Sequence, residues 1–205
     1  MPTPTALSPS RPRYLSLFPD WEGRRPLGWF FAEPLLEARA EAGFATNCRG
    51  TDEDVNMYIL GLLVDWVTSD PAVGVAPAVD PLFMPPSRRL GHRARAAIHR
   101  RQADHRLLAL GLFDRGDLVR RRRTGWRMTG AETRARDLTV MQRGYAAAAD
   151  LTAGCPDLRG PREVWRKLAT HGEDYVHVLQ TLARRRLGLG ARLGEADLAH
   201  LLGSA

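Results

Sequence analysis

Residues 51–68, TDEDVNMYILGLLVDWVT, are the stretch of the chain that decides its fold class. Thr51 is an N-cap, Asp54 stands three positions later, and acidic residues fill the first turn, where they oppose the positive end of a helix dipole. Apolar residues then recur at spacings of three and four, as on the buried side of a helix: Val55, Tyr58, Ile59, Leu62, Leu63 and Trp66. Asp70-Pro71 ends the pattern. The spacing therefore predicts a helix over residues 51–68.

The rest of the chain also favours helices over strands, which predicts a mainly α fold of about five to six helices. The other predicted helices run from about Glu33 to near Gly43, from Ser87 to about Phe113, over 130–153 with Gly144 as a candidate break, from about Arg162 to Leu187, and from near Glu195 onward. Strand candidates occur only at Leu118–Arg122 and Gly125–Thr129. They leave open an alternative fold, in which a small β-wing at 118–129 is added to the helices.

The segment before the first of these helices is rich in both aromatic residues and prolines. Pro19, Pro26 and Pro34 argue against a long helix, so we place the start of the helix at Glu33, with Pro34 at its first helical position. The segment itself is then expected to be irregular. We expect it to pack its aromatic residues on the core, namely Trp21, Trp29, Phe30 and Phe31.

Composition divides the chain into a tail and one domain. Residues 1–13 hold four prolines and two serines without helical periodicity, which predicts a disordered tail, and residues 14–205 are expected to form a single helical domain. Five prolines at 70–86 mark a loop or a subdomain boundary. No apolar run approaches the roughly 20 residues that span a bilayer, and the N-terminus lacks the apolar core of a signal peptide. We therefore expect a cytoplasmic protein without a membrane span.

Positive charge is concentrated in one part of the chain. Residues 87–136 contain 15 arginines against four acidic residues, a net charge of +11, whereas the whole chain carries +7. Arginine forks bind phosphate oxygens, and a tryptophan can stack on a base or brace a turn. The candidate nucleic-acid-binding residues are Arg88, Arg89, Arg93, Arg100, Arg101, Arg120, Arg121, Arg122, Arg123 and Trp126. The opposing interpretation is that RRRR at 120–123 is a solvated corner between helices.

Two resemblances to known families follow from residues in this part of the chain. Asp104, Leu107, Gly111 and Phe113 form the pattern D-x-x-L-x-x-x-G-x-F, and the chain resembles a group of uncharacterised bacterial helical proteins through it, over about residues 52–185. That resemblance implies a helical fold and transfers no functional residue. Residues 105–140 are similar to winged-helix regulators, in which a basic strand, a glycine turn and a threonine-led helix follow one another. The preceding segment, however, lacks the turn of a helix-turn-helix.

Signatures of catalysis and of cofactor binding are missing from the sequence. No GxSxG, HExxH, P-loop or GxGxxG pattern occurs. His92, His99 and His105 share one predicted helix, but their spacings of seven and six do not match the three or four residues of a helical metal site. We therefore expect a non-enzymatic protein without cofactor or metal.

These patterns support two functional hypotheses. In the first, the arginines neutralise nucleic-acid phosphates with little base readout, which requires both basic segments to form one contiguous face. In the second, the protein is an adaptor or scaffold subunit that docks through residues 14–36, while its arginines meet an acidic protein partner. The second requires an exposed apolar patch that includes Trp21, Trp29 or Phe30. The oligomeric state is open in both.

Overall fold

The computed structural model describes residues 23, 25–44, 52–68, 90–113 and 130–185. They form five α-helices: α1 (Arg25–Glu41), α2 (Asp52–Thr68), α3 (His92–Leu108), α4 (Gly130–Leu151) and α5 (Arg159–Arg185). A π-helical turn, Ala109–Phe113, continues α3, and a 3-10 turn, Pro156–Leu158, leads into α5. No strand occurs within these ranges, so the mainly α fold is confirmed. The predicted tail at 1–13, the proline-rich 70–86, the wing at 118–129 and the helix from Glu195 lie outside the described residues.

Helix α2 is buried along most of its length. Its bounds match the helix predicted from the sequence, and residues 55, 56 and 58–64 are all shielded from solvent. At its N-terminal end the Asp54 carboxylate accepts a hydrogen bond from the backbone N–H of Val55 and two from Lys167 Nζ on α5, at 2.7 and 2.8 Å. The helix is thus held by apolar packing along its sides and by an ion pair at one end.

Helix α4 packs antiparallel to both α3 and α5, so α3 and α5 run in the same direction. Arg93, near the start of α3, pairs with Asp157, which lies just beyond the end of α4. Near the other end of α3, Arg106 Nε lies 4.0 Å from Oδ1 of Asp137, which is in the first half of α4. Leu107 at the end of α3, and Leu110 and Leu112 in the π-helical turn that follows, are buried. Because α5 also packs against α1 and α2, one apolar core joins all five helices.

Two glycines let neighbouring helices approach closely. Helix α4 runs unbroken through Gly144, so the suggested break there is wrong; a Cβ at this position would lie 3.1 Å from the Cβ of Ala103 on α3. At Gly111, in the π-helical turn, a Cβ would lie only 2.4 Å from the Cβ of Leu179. The absence of a side chain at each position therefore sets how closely α3 and the turn after it approach α4 and α5.

The structure corrects the prediction for the start of α1. The helix begins at Arg25 rather than at Glu33, and Pro34 lies inside it. Proline leaves one carbonyl of the preceding turn without its helical donor. Burial of Phe31, Leu35 and Ala38 on one side of α1 outweighs that loss.

The predicted end of α1 near Gly43 is confirmed. Gly43 adopts φ 68°, and the backbone N–H of Phe44 reaches the Arg39 carbonyl at 3.1 Å, which is the Schellman arrangement of a helix C-terminus. This turn directs the Phe44 ring onto the ring of Tyr175. Arg39 is fully buried: its guanidinium carbon lies 4.3 Å from the Phe44 ring centroid, and Nη1 donates to Asn56 Oδ1 at 2.9 Å.

Candidate functional site

The outer face of α1 is an exposed stripe that combines aromatic and acidic residues. It comprises Trp29, Phe30, Glu33, Leu36, Glu37, Ala40 and Glu41, all of them exposed. Trp29 and Phe30 are 69% and 65% exposed, and Leu36, two turns from Trp29, is 48% exposed. The prediction that these two aromatic residues pack on the core is wrong, whereas Phe31 does pack there. Successive residues of a helix point about 100° apart, so Phe31 can be buried only if Trp29 faces nearly the opposite way.

The charge of the outer face is opposite to that of the whole chain. The seven residues named for it include three glutamates, at 33, 37 and 41, and no arginine or lysine, although the chain has a net charge of +7. The glutamates follow one another at intervals of four residues, so they form a row along the helix beside the apolar side chains. At the end of α1, Glu41 pairs with Arg185 of α5 at 2.8 Å. The outer face is therefore an acidic, aromatic surface on a basic protein.

A second polar feature, the Asp104 network, lies inside the core. Asp104 Oδ1 accepts hydrogen bonds from the hydroxyls of Tyr58, at 2.7 Å, and Tyr145, at 2.9 Å. Its Oδ2 accepts one from Arg100 Nη1 at 2.9 Å, and Trp165 Nε1 donates to the Tyr58 hydroxyl at 3.3 Å. The Asp104 carboxylate thus connects α2, α3 and α4, and the Tyr58 hydroxyl extends the network to α5.

Burial shifts the pKa values of the groups in the Asp104 network. It raises the pKa of Asp104, although Arg100 and the two tyrosine hydroxyls lower it by stabilising the charged form. Burial, reinforced by the nearby Asp104 carboxylate, raises the pKa of both Tyr58 and Tyr145 well above the usual 10.0. Both phenols therefore keep their protons and act as donors. Because the carboxylate and the phenols are all buried, the network is suited to positioning helices rather than to binding a ligand.

Only three of the ten candidate nucleic-acid-binding residues lie in the described part of the chain. Arg93 and Arg101 are exposed on α3, and Arg93 pairs with Asp157 at 2.7 Å. Arg100 points into the core, where its side chain is 14% exposed and donates to Asp104. The other seven lie outside the described residues: Arg88, Arg89, Arg120, Arg121, Arg122, Arg123 and Trp126. Whether the two basic segments share one face stays a prediction.

The three histidines of α3 do not converge. His92 is exposed, whereas His99 and His105 are half-buried, and burial followed by the charge of Arg95 lowers the pKa of His99. Within the described ranges, no group of three or more histidine, cysteine, aspartate or glutamate side chains could hold a metal ion.

An open polar cleft lies between the ends of α1 and α5. Its volume is about 290 Å³, and its walls are Glu41, His177, Thr181, Arg184 and Arg185. The Glu41–Arg185 ion pair joins two residues of this lining. Because these groups lie at a wide surface opening with little apolar lining, the cleft lacks the enclosed, mostly apolar character of a small-molecule site.

The sequence interpretation did not identify the Asp104 network. In the sequence, Asp104 stands out only as part of the D-x-x-L-x-x-x-G-x-F pattern, and Arg100 only as one of the candidate nucleic-acid-binding arginines. A signal was present, because Asp104 lies between Ala103 and Leu107 on the buried side of α3, where an acidic residue requires partners. Those partners come from helices distant in sequence, so their identity required the fold.

Comparisons with protein-family models, with curated proteins and with solved structures find no match for this chain. Among the helices that the structure describes, none is both long enough and apolar enough to cross a membrane.

Proposed function

We propose that this protein is a non-catalytic adaptor that binds another protein through the outer face of α1. The observation that carries the proposal is the solvent exposure of two successive aromatic residues, Trp29 at 69% and Phe30 at 65%, on the outer face of one helix. Single exposed apolar residues are common on protein surfaces, but adjoining ones form patches that mark interaction sites. Tryptophan is also among the residues that most often dominate binding energy in interfaces.

The size of the exposed aromatic surface supports the same function. Complete burial of a tryptophan or phenylalanine side chain removes about 150–250 Å² from water. Since about two thirds of Trp29 and of Phe30 is exposed, roughly 250 Å² of aromatic surface remains available on the two side chains together. At about 25 cal/mol per Å², its burial by a partner contributes roughly 6 kcal/mol before the entropic cost of association. Leu36 adds to this apolar surface from two turns further along α1.

The test is selection of peptide ligands followed by a matched comparison of variants. A displayed library of 16-residue helical peptides is selected against the wild-type protein, and enriched peptides are titrated against Trp29→Ala/Phe30→Ala. Val67→Ala is the control, because Val67 is also exposed but lies on α2. We expect the double variant to bind about thirtyfold more weakly, as for loss of an interface hot spot, and the control to bind normally. Selection of no peptide, or of peptides indifferent to the double variant, contradicts the proposal.

Nucleic-acid binding is the second candidate function. It is favoured by the net charge of +11 on residues 87–136 and by the exposure of His92, Arg93 and Arg101 along the first half of α3. The mechanism is phosphate neutralisation by arginines, with Arg120 to Arg123 as the expected second part of the surface. The Asp104 network excludes Arg100 from this role as long as its ion pair is intact.

A salt series of fluorescence anisotropy with labelled duplex DNA and single-stranded RNA tests this second function. Arg93→Ser/Arg101→Ser is compared with Arg184→Ser/Arg185→Ser, which removes the same charge from exposed positions at the end of α5. If α3 contacts phosphates, the first variant reduces the slope of log affinity against log salt by about 2, and the second leaves it unchanged. Equal effects of the two variants indicate only non-specific attraction by net charge.

A further inference from the structure

The acidic row on the outer face of α1 specifies more than an apolar partner. Glu33, Glu37 and Glu41 recur every four residues, which is close to one helical turn, and they lie beside the exposed Trp29 and Phe30. Residues 29 to 41 of an α-helix extend over about 18 Å. A partner that covers the aromatic side chains along this length also comes within reach of this row of carboxylates, of which Glu41 is paired with Arg185. Its own charges then decide whether binding is strengthened or weakened.

We infer that the outer face of α1 binds a helical segment of another protein that carries apolar residues on one side and lysines or arginines beside them. This inference rests on the proposed adaptor function and specifies the partner's chemistry. An amphipathic helix presents apolar residues at spacings of three, four and seven, which matches a stripe running from Trp29 through Leu36. Basic residues next to those positions face the row of glutamates.

Charge argues against the two alternative occupants. A second copy that paired through its own α1 would bring the acidic row of one chain against that of the other, and like charges across an interface oppose association. An acidic helix from another protein is also repelled by the glutamates of α1 at close range, even though the protein's net charge of +7 attracts it at long range. Local and overall charge therefore predict opposite preferences, and this difference makes the inference testable.

The probes are two 18-residue peptides with the same leucine positions, one with lysine and the other with glutamate at the flanking positions, both stapled to hold the helix. Fluorescence anisotropy measures their binding to the wild-type protein. We expect the leucine/lysine peptide to bind about tenfold more tightly at low salt, with a smaller ratio at high salt because exposed charges are screened. The preference reverses in Glu33→Lys/Glu37→Lys, which keeps the aromatic residues.

The variants separate failure of the inference from failure of the adaptor function. Trp29→Ala/Phe30→Ala is expected to weaken the leucine/lysine peptide by about thirtyfold, while Val67→Ala does not. If both peptides bind equally well and both lose binding to Trp29→Ala/Phe30→Ala, the charge preference is overturned but the adaptor function stands. Preferred binding of the glutamate peptide also overturns the inference. Binding of either peptide that is indifferent to Trp29 and Phe30 contradicts both proposals.

Discussion

Replacing Asp104 with alanine removes an acceptor on which three buried donors converge. The hydroxyls of Tyr58 and Tyr145 each lose their partner, and a buried hydroxyl without one costs about 1–3 kcal/mol. Arg100 loses its ion pair, for which the cost is about 3–5 kcal/mol when one partner of a buried pair is removed. The lower ends of these ranges apply to Arg100, which is 14% exposed and reaches water, and to hydroxyls that can rotate. We therefore expect Asp104→Ala to lower the free energy of unfolding by about 5 kcal/mol.

Urea denaturation, followed by circular dichroism, measures this change. Asp104→Asn is the graded control, because its amide oxygen still accepts from the tyrosines while the charge that pairs with Arg100 is lost. It is expected to cost about 3 kcal/mol. The remaining difference of about 2 kcal/mol between the two variants is then the contribution of the hydroxyl acceptor.

A double-mutant cycle tests whether the Asp104 network acts as a unit. In a Tyr58→Phe/Tyr145→Phe background no hydroxyl is left unpaired, so Asp104→Ala is expected to cost about 2 kcal/mol less than in the wild type. Costs that add to within about 0.5 kcal/mol, or a cost of Asp104→Ala below about 1 kcal/mol, would refute the reasoning. In that case the carboxylate and hydroxyls do not cooperate in holding the helices.

Three further predictions concern packing, pH and the helix interior. Gly111→Ala brings a Cβ within 2.4 Å of a leucine Cβ and is expected to cost about 1–3 kcal/mol of urea stability. Gly154→Ala, where no described atom lies within 4 Å, should be neutral, and equal effects contradict the packing argument. The raised pKa values of Tyr58 and Tyr145 give stability that is present below pH 10 and lost as pH rises further, by about 2.7 kcal/mol per unit for two phenols. Tyr145→Phe should halve that slope in urea titrations at pH 10 to 11, and an unchanged slope contradicts the assignment. Pro34→Ala restores a helical donor inside α1 and is expected to raise the melting temperature, whereas a fall indicates that proline is preferred at this position.

The helices with strong periodicity could be predicted closely from the sequence. For α2 the predicted and observed bounds differ by one residue at the start. Five of the six apolar residues expected on its buried side are buried, whereas Trp66, near the end of the helix, is 36% exposed, so that part of the prediction is wrong. Helix α5 starts three residues before its predicted start, and its backbone is non-helical at His171, next to Gly172. Local signals suffice where a helix both begins and ends with its own sequence features.

The functional residues were harder to predict because they depend on neighbours far along the chain. The arginines of α3 have the same side-chain chemistry, yet Arg93 and Arg101 face solvent while Arg100 reaches a buried carboxylate. Their different roles depend on where α2 and α4 place Tyr58 and Tyr145, and a run of basic residues holds no information about that. Charge counting alone therefore overstates the number of arginines that are available to a ligand.

The outer face of α1 shows how one wrong prediction about secondary structure propagates to function. Three consecutive aromatic residues, at 29 to 31, can all reach a core from an irregular segment, and the prolines favoured that expectation. Once α1 extends through Pro34, the helical rotation of about 100° per residue separates Trp29 from Phe31 by about 160°. Burial of Phe31 then requires the exposure of Trp29. The aromatic surface proposed for partner binding is thus a direct consequence of the helix that the prolines argued against.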